Sequence, residues 1–254
     1  MAYNDLVMPT HSKLGAPEPF RLINRIPIVD CGEPLIELRG RRDARFLMLA
    51  PGCLPYVRES VFAKLIRAQA KLPWECHLRI STALRTLDTQ SRMYWANYRR
   101  IESEHPAWPP SAIRRATNKF FAPPDAKAPP GHCTGGAVDV TLVDIGGRPL
   151  DMTSPFTRWD AAYTFIDGLT PTARENRARL YDAMLGAGFS NCRDEWWHWS
   201  YGDSAWAVRV GARTACYGLV EPPAGYRYVP LHAPKVAPIP RTTHLRPGRW
   251  RAGR

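Results

Sequence analysis

The chain has 254 residues, 44% of them apolar, and a formal net charge of +12, which is enough to bury a full core and too apolar for a disordered protein. No run of eighteen apolar residues is present, so no membrane span is expected. The stretch from Met1 to Gly15 lacks a basic start followed by an apolar segment, so no secretory leader is expected and the location is read as cytoplasmic.

The first thirty residues read as irregular, because Pro17, Pro19 and Pro27 spoil any long helix. From Val57 to Leu72, apolar residues at Val61, Leu65, Ala68 and Leu72 recur at helical spacing, and Pro73 follows them. In "WECHLRIST", Cys76, Leu78 and Ile80 alternate with His77, Arg79 and Ser81, the pattern of a strand. A second helix is predicted from Asp88 to Ile101, with Asp88 as its N-cap. The proline-rich run Ala122 to Gly131 reads as an exposed extended loop.

Gly135 and Gly136 close that loop, and "AVDVTLVDI" reads as a strand with Val138, Val140 and Leu142 on one face and Asp139, Thr141 and Val143 on the other. "GGRPLD" is a turn. "PTARENRARLYDAMLGAGF" is an amphipathic helix carrying Leu180, Met184 and Leu185, ended by Gly186 or Gly188. "EWWHWSYG" reads as an aromatic strand and "AWAVRV" as a final short one. Strands and helices do not alternate as βαβ units, so the fold class is α+β. One domain is expected over residues 1–220, with the irregular segment 1–30 included. Residues 221–254 form a tail with seven prolines and seven Lys/Arg against one acid. The body is only mildly basic, so no nucleic-acid partner is expected. The six cysteines lack any CxxC pairing and are read as reduced thiols.

Of the seven histidines, His11, His105, His232 and His244 sit in polar or proline-rich surroundings and read as solvated, and His77 as a half-buried packing residue. His132 and His198 remain. His132 stands in a glycine-rich turn seven residues before Asp139. Alone, that pair is an ordinary polar corner, and "EWWHW" alone is an aromatic strand. Together they can supply a three-residue His/Asp donor set of the kind that holds a hydrolytic zinc ion and leaves a fourth position open. The glycines would let backbone approach the metal or substrate closely. Glu195, three residues before His198, is then placed to act as general base on the attacking water. Hydrolysis also needs a cation near the developing oxyanion. Arg85, just beyond the first strand, can project over the sheet end, but the sequence pattern alone favours a solvated surface arginine and does not single out Arg85. Cys133 is read as a small wall residue.

"GHCTGGAVDVTL", "EWWHWSYGD" and "LRTLDTQ", in this order and spacing, resemble the D-alanyl-D-alanine dipeptidases, the VanX-type members of a zinc peptidase family that also contains D,D-carboxypeptidases. The family's His-x2-Gly-x-Ala-x-Asp core is met by His132, Gly135, Ala137 and Asp139, and the likeness covers residues 20–218. The resemblance implies a hedgehog-like D,D-peptidase fold, a small mostly antiparallel sheet flanked by helices. It implies one Zn²⁺ per chain on His132, Asp139 and His198, Glu195 as the base, and Arg85 on the scissile carbonyl and its oxyanion. The substrate implied is free D-Ala-D-Ala, a small cell-wall precursor, split into two D-alanines. The alternatives are a related zinc carboxypeptidase or wall hydrolase acting on longer peptidoglycan peptides, and a non-enzymatic zinc-binding module on the same fold. The chain departs from the family pattern at Pro130, where serine is usual, at Thr82-Ala83-Leu84 before the arginine, and at Thr157, where an aspartate able to pair with a dipeptide's ammonium is expected. Asp160 and Asp167 are the nearby carboxylates that would compensate. Oligomeric state is not legible in the sequence.

Overall fold

A computed structural model describes residues 18–40, 47–157 and 159–224. In chain order the elements are α1 (Phe20–Ile23), β1 (Leu35–Glu37), β2 (Met48–Leu49), β3 (Tyr56–Arg58), α2 (Glu59–Gln69), β4 (Cys76–Thr82), α3 (Leu87–Glu104) and α4 (Pro110–Thr117). A 3₁₀ turn at Gly131–Thr134 leads into β5 (Ala137–Asp144), followed by α5 (Pro171–Gly186), β6 (Ser190–Asn191), β7 (His198–Ser200) and α6 (Ser204–Val210). The proline-rich tail from residue 225, the first seventeen residues, and with them His11, His232 and His244, lie outside the described residues.

The main sheet has the order β2-β4-β5-β7-β6, with β2 parallel to β4 and every other pairing antiparallel. β1 and β3 form a separate antiparallel pair. The fold is therefore α+β with a small, mostly antiparallel sheet, as the sequence suggests.

Alternation along the two central strands decides where the core lies. Leu78 and Ile80 of β4 pair with Leu142 and Val140 of β5, and Val138 pairs with Trp199 of β7. All six side chains are fully buried, and α2 (Val61, Leu65) and α5 (Leu180, Met184) contribute to the same apolar cluster. Because successive side chains point to opposite faces, Asp139 and His198 fall on the face away from this cluster. A bulge at Ser81 shifts the β4–β5 register, so that Thr82 opposes Asp139. Bulges of this kind re-aim side chains at the ends of strands.

Four local expectations are corrected. The N-cap of α3 is Thr86, whose hydroxyl accepts from the Thr89 amide at 3.2 Å, while Asp88 lies in the first turn and pairs with Arg92 at 2.8 Å. Only His198–Ser200 of the aromatic run is strand; Glu195, Trp196 and Trp197 form a turn ahead of it. The proline-rich run is not simply an exposed loop, since Pro123, Ala128 and Pro130 are buried. Finally, "AWAVRV" is helical. Asp203 caps α6 by accepting from the Trp206 amide at 2.6 Å, and Gly211 closes it in the left-handed region at φ +71°. End signals here outweigh the strand preference of tryptophan and valine. α4, entered through Pro110 at its first position, is an element the sequence reading did not assign.

Among the described residues no helix is long and apolar enough to cross a membrane, and all six cysteines are free. His77 is half-buried, and His105 is exposed, its ring stacked on Trp108 at 3.9 Å.

Asp203 is buried and also accepts from the Ser200 hydroxyl. Asp203→Ala removes both bonds, and a loss of about 1–2 kcal/mol is expected, read as a lower urea midpoint with unchanged slope.

Candidate metal centre

β5 and β7 bring two of the selected side chains together directly. Asp139 and His198 are cross-strand partners, so their side chains leave the same face of the sheet side by side. His198 Nδ1 lies 3.0 Å from Asp139 Oδ1. His132 reaches the same oxygen from the 3₁₀ turn, its Nε2 at 3.2 Å. The two imidazole rings stand edge to face, with centroids 4.8 Å apart.

The second nitrogen of His132 has its own partner. Nδ1 is 3.0 Å from the Ala83 carbonyl, so a proton on Nδ1 leaves Nε2 with a free lone pair directed at the cluster. The main chain reinforces this, since the Arg85 amide donates to the His132 carbonyl at 3.0 Å. Thus Ala83 of the departing "Thr82-Ala83-Leu84" stretch and the following Arg85 hold the turn by backbone groups, which every residue type possesses.

The donor chemistry suits a divalent metal. One carboxylate oxygen and two imidazole nitrogens all lie within 4.8 Å of one another, and all three residues are buried or half-buried. The separations of 3.0 and 3.2 Å approach the edge of a tetrahedron built on bonds of about 2.0–2.1 Å. Burial by itself raises the Asp139 carboxyl, but the charges and hydrogen bonds of His132 and His198 outweigh it and hold the group well below the ordinary carboxylate range. It is therefore ionised and ready to act as a ligand. The neighbouring Cys133 is the opposite case: it is buried, and burial pushes its thiol up to about 12, which favours the neutral form.

Glu195 lies beside this cluster on the turn before β7, with Oε2 4.0 Å from His198 Nδ1. Burial raises its carboxyl, with Asp139 and Asp194 adding to the rise and His198 and Arg85 opposing it. Arg85 is thus close enough for its charge to be felt at both Glu195 and Cys133. Its guanidinium is held by Gln90, which accepts from Nη1 at 2.7 Å and donates to the Ala122 carbonyl at 2.7 Å. Gln90 is buried, and although it stands inside the quoted "LRTLDTQ", nothing in the sequence marks it as the arginine's partner.

The glycines have a different purpose from the one expected. Gly135 takes φ +70°, and a Cβ there would meet Leu35 at 2.8 Å. A Cβ on Gly136 would lie 2.7 Å from the Tyr201 carbonyl. The crowding at these two positions comes from the protein's own side chains and backbone, not from the metal position.

Arg58 anchors the turn from behind. Its amide donates to the Gly135 carbonyl at 2.9 Å and its Nε to Thr134 at 2.9 Å. Nη1 donates to the Glu33 carbonyl at 2.7 Å and Nη2 to Asp30 at 2.8 Å, while the guanidinium sits 5.2 Å from the Tyr217 ring centroid. One buried side chain thereby joins residues 30–33, the ligand turn and the segment after α6. Neither Arg58 nor these contacts figured in the sequence reading, because their partners are mostly carbonyls far apart in the chain.

Of the departures, Pro130 caps the 3₁₀ turn, its carbonyl accepting from Cys133 at 2.8 Å. Thr157 donates a short hydrogen bond to Asp160, so a carboxylate does stand next to the position where one is expected. Asp167 is exposed.

An α+β chain whose sheet and adjoining turn present a His/Asp/His cluster beside a half-buried carboxyl and an arginine has the features of the metallopeptidase class. The D-ala-D-ala dipeptidase model of peptidase family M15 matches residues 65–216, and the chain belongs to that family. A D-alanyl-D-alanine dipeptidase of Synechocystis sp. is 30% identical over 244 residues, covering 80% of this chain and 98% of the relative. One of Escherichia coli is 31% identical over 87 residues, 34% of this chain and 45% of that protein. Among solved structures, a vancomycin-resistance D,D-pentapeptidase VanY in complex with Zn(II) aligns at a TM-score of 0.37 and 15% identity, covering 78% of this chain and 85% of that one. The family match and the Synechocystis relative make the protein a metallopeptidase.

Arg58→Ala leaves a set of buried carbonyls and Asp30 without their donor. A loss of about 3–5 kcal/mol in folding stability is expected, measured by urea denaturation of the metal-free protein.

Proposed function

We propose that the chain is a zinc-dependent dipeptidase that splits D-alanyl-D-alanine into two D-alanines, with residues 1–220 as its catalytic domain. The observation that carries this reading is the convergence of His132 and His198 on Asp139 with Glu195 alongside. The activity named for the Synechocystis relative, which this chain matches almost end to end, supports the substrate.

His132 Nε2, His198 Nδ1 and an Asp139 oxygen would hold one Zn²⁺. Two nitrogens and one carboxylate oxygen are a donor set that zinc accepts, with a fourth position left over. When bound, the ion supplies Lewis acidity, making water nucleophilic near neutral pH and polarising the scissile carbonyl.

The chain's own residues do the rest. Glu195 takes the proton of the attacking water at a carboxylate oxygen and delivers it to the departing amine. Its raised affinity for a proton suits a group that must both accept and release one. Arg85 faces the carbonyl oxygen as it becomes an oxyanion, where a fixed cation contributes most. Gln90 holds that guanidinium at Nη1. Asp160, tied to Thr157, is the carboxylate available to a substrate ammonium in place of the missing aspartate.

Three substrates test the reading: D-Ala-D-Ala, L-Ala-L-Ala and a pentapeptide ending in D-Ala-D-Ala. Release of D-alanine from the free D,D-dipeptide is expected, with the other two turned over poorly; efficient trimming of the pentapeptide alone would replace the dipeptidase with a carboxypeptidase. Glu195→Ala is expected to keep its zinc in metal analysis and to lose kcat by about three orders of magnitude or more. His132→Ala is expected to lose the metal itself. An active Glu195→Ala enzyme would remove Glu195 from the mechanism.

A further inference from the structure

Two exposed aromatic rings, Phe120 and Trp159, are in contact. Phe120 is 36% exposed and Trp159 is 43% exposed, yet their centroids are 6.0 Å apart in an edge-to-face contact. They belong to different arms of the chain. Phe120 follows α4, at the start of the proline-rich run that leads to His132. Two residues later, the Ala122 carbonyl accepts from Gln90, the residue that holds Arg85. This arm therefore belongs to the Arg85 side of the site.

Trp159 belongs to the other side. Its ring lies edge to face with that of Trp197, centroids 5.9 Å apart, and Trp197 stands between Glu195 and His198 in the chain. The Trp196 amide donates to the Ala162 carbonyl at 2.9 Å, and the Thr164 amide to the Arg193 carbonyl at 2.8 Å. Arg177 pins the same arm from α5, donating to the carbonyls of Met152 and Tyr163 at 2.7 Å each and to that of Ala161. On the opposite arm, the Phe120 amide donates to Thr117, and Asn118 accepts from the Tyr94 hydroxyl at 2.8 Å. Both rings stand on anchored backbone.

Neither ring is fully buried, so packing occupies only part of each side chain. A contact between the Arg85 side and the Glu195 side does, however, limit what can lie between them. We propose that the Phe120–Trp159 pair is a bar across one side of the cleft that restricts the substrate to short peptides. The two residues are then determinants of substrate length. This rests on the hydrolytic reading of the site given above.

The test uses zinc-loaded full-length protein and compares kcat/KM for D-Ala-D-Ala with kcat/KM for the D-Ala-D-Ala-terminated pentapeptide. In Phe120→Ala, Trp159→Ala and the double variant, the pentapeptide-to-dipeptide ratio is expected to rise by about tenfold or more, on the scale at which pocket shape discriminates substrates. Dipeptide turnover, zinc content and melting midpoint should change little, and Trp159→Phe, which keeps an aromatic edge, should keep the original ratio. An unchanged ratio in the double variant overturns the inference. So does a parallel fall of both rates with a lowered melting midpoint, which would make the pair simply packing. A wild-type enzyme idle on both peptides would instead overturn the hydrolytic reading, and the inference with it.

Discussion

The site is built around a carboxylate placed where carboxylates are costly. Asp139 is the third residue of β5, a largely buried strand, and is flanked in sequence by Val138 and Val140, both without exposure. An ionised group there loses several kcal/mol of hydration unless charge and hydrogen bonds are supplied locally. Two imidazoles supply them, one from the neighbouring strand and one from the turn before β5. The rest of the structure can be understood as the means of keeping those two rings in place without filling the space between them.

Two devices do this at different ranges. The ladder between β5 and β7 sets His198 opposite Asp139, and the apolar cluster fixes that register, because a slip by one residue would turn Val138, Val140 and Trp199 out of the core. His132 has no ladder and is held by backbone bonds: Ala83 at its ring, Arg85 at its carbonyl, and Arg58 behind the turn. A buried arginine that spends its donors on carbonyls is an anchor with little freedom to reorganise. Its cost in desolvation is offset only while all its partners stay in place. That couples the geometry of a ligand turn to segments at both ends of the described chain.

What the sequence discloses follows from range. Strands β4 and β5 and helices α2 and α5 are legible because alternation and helical spacing are local patterns repeated over many residues. His132, Asp139 and His198 are legible because a metal site demands particular side chains, and the resemblance supplies their pairing. The failures are where local pattern is weak or contradicted. α6 has the composition of a strand and is made helical by Asp203 and Gly211 at its ends. The turn at Glu195–Trp197 hides inside an aromatic run that looks uniform. Arg58 and Gln90 are invisible for a deeper reason: their partners are backbone carbonyls, which every residue possesses, so no residue type at the far end betrays the contact.

The two carboxyls of the site show how environment divides labour between like groups. Asp139 receives two imidazoles and is held far below its ordinary value, fit for permanent ionisation. Glu195, one strand end away, receives burial first and the nearby negative charge of Asp139 as well, and is raised. The two shifts are linked, because Asp139, once held as an anion, adds its own negative charge to what makes Glu195 reluctant to be one, while His198 favours the ionised form of both. The environment thus pushes the two carboxyls apart, one toward the ionised form and one toward the protonated form. Arg85 sits within electrostatic reach of the second, and its charge opposes the rise that burial and Asp139 impose.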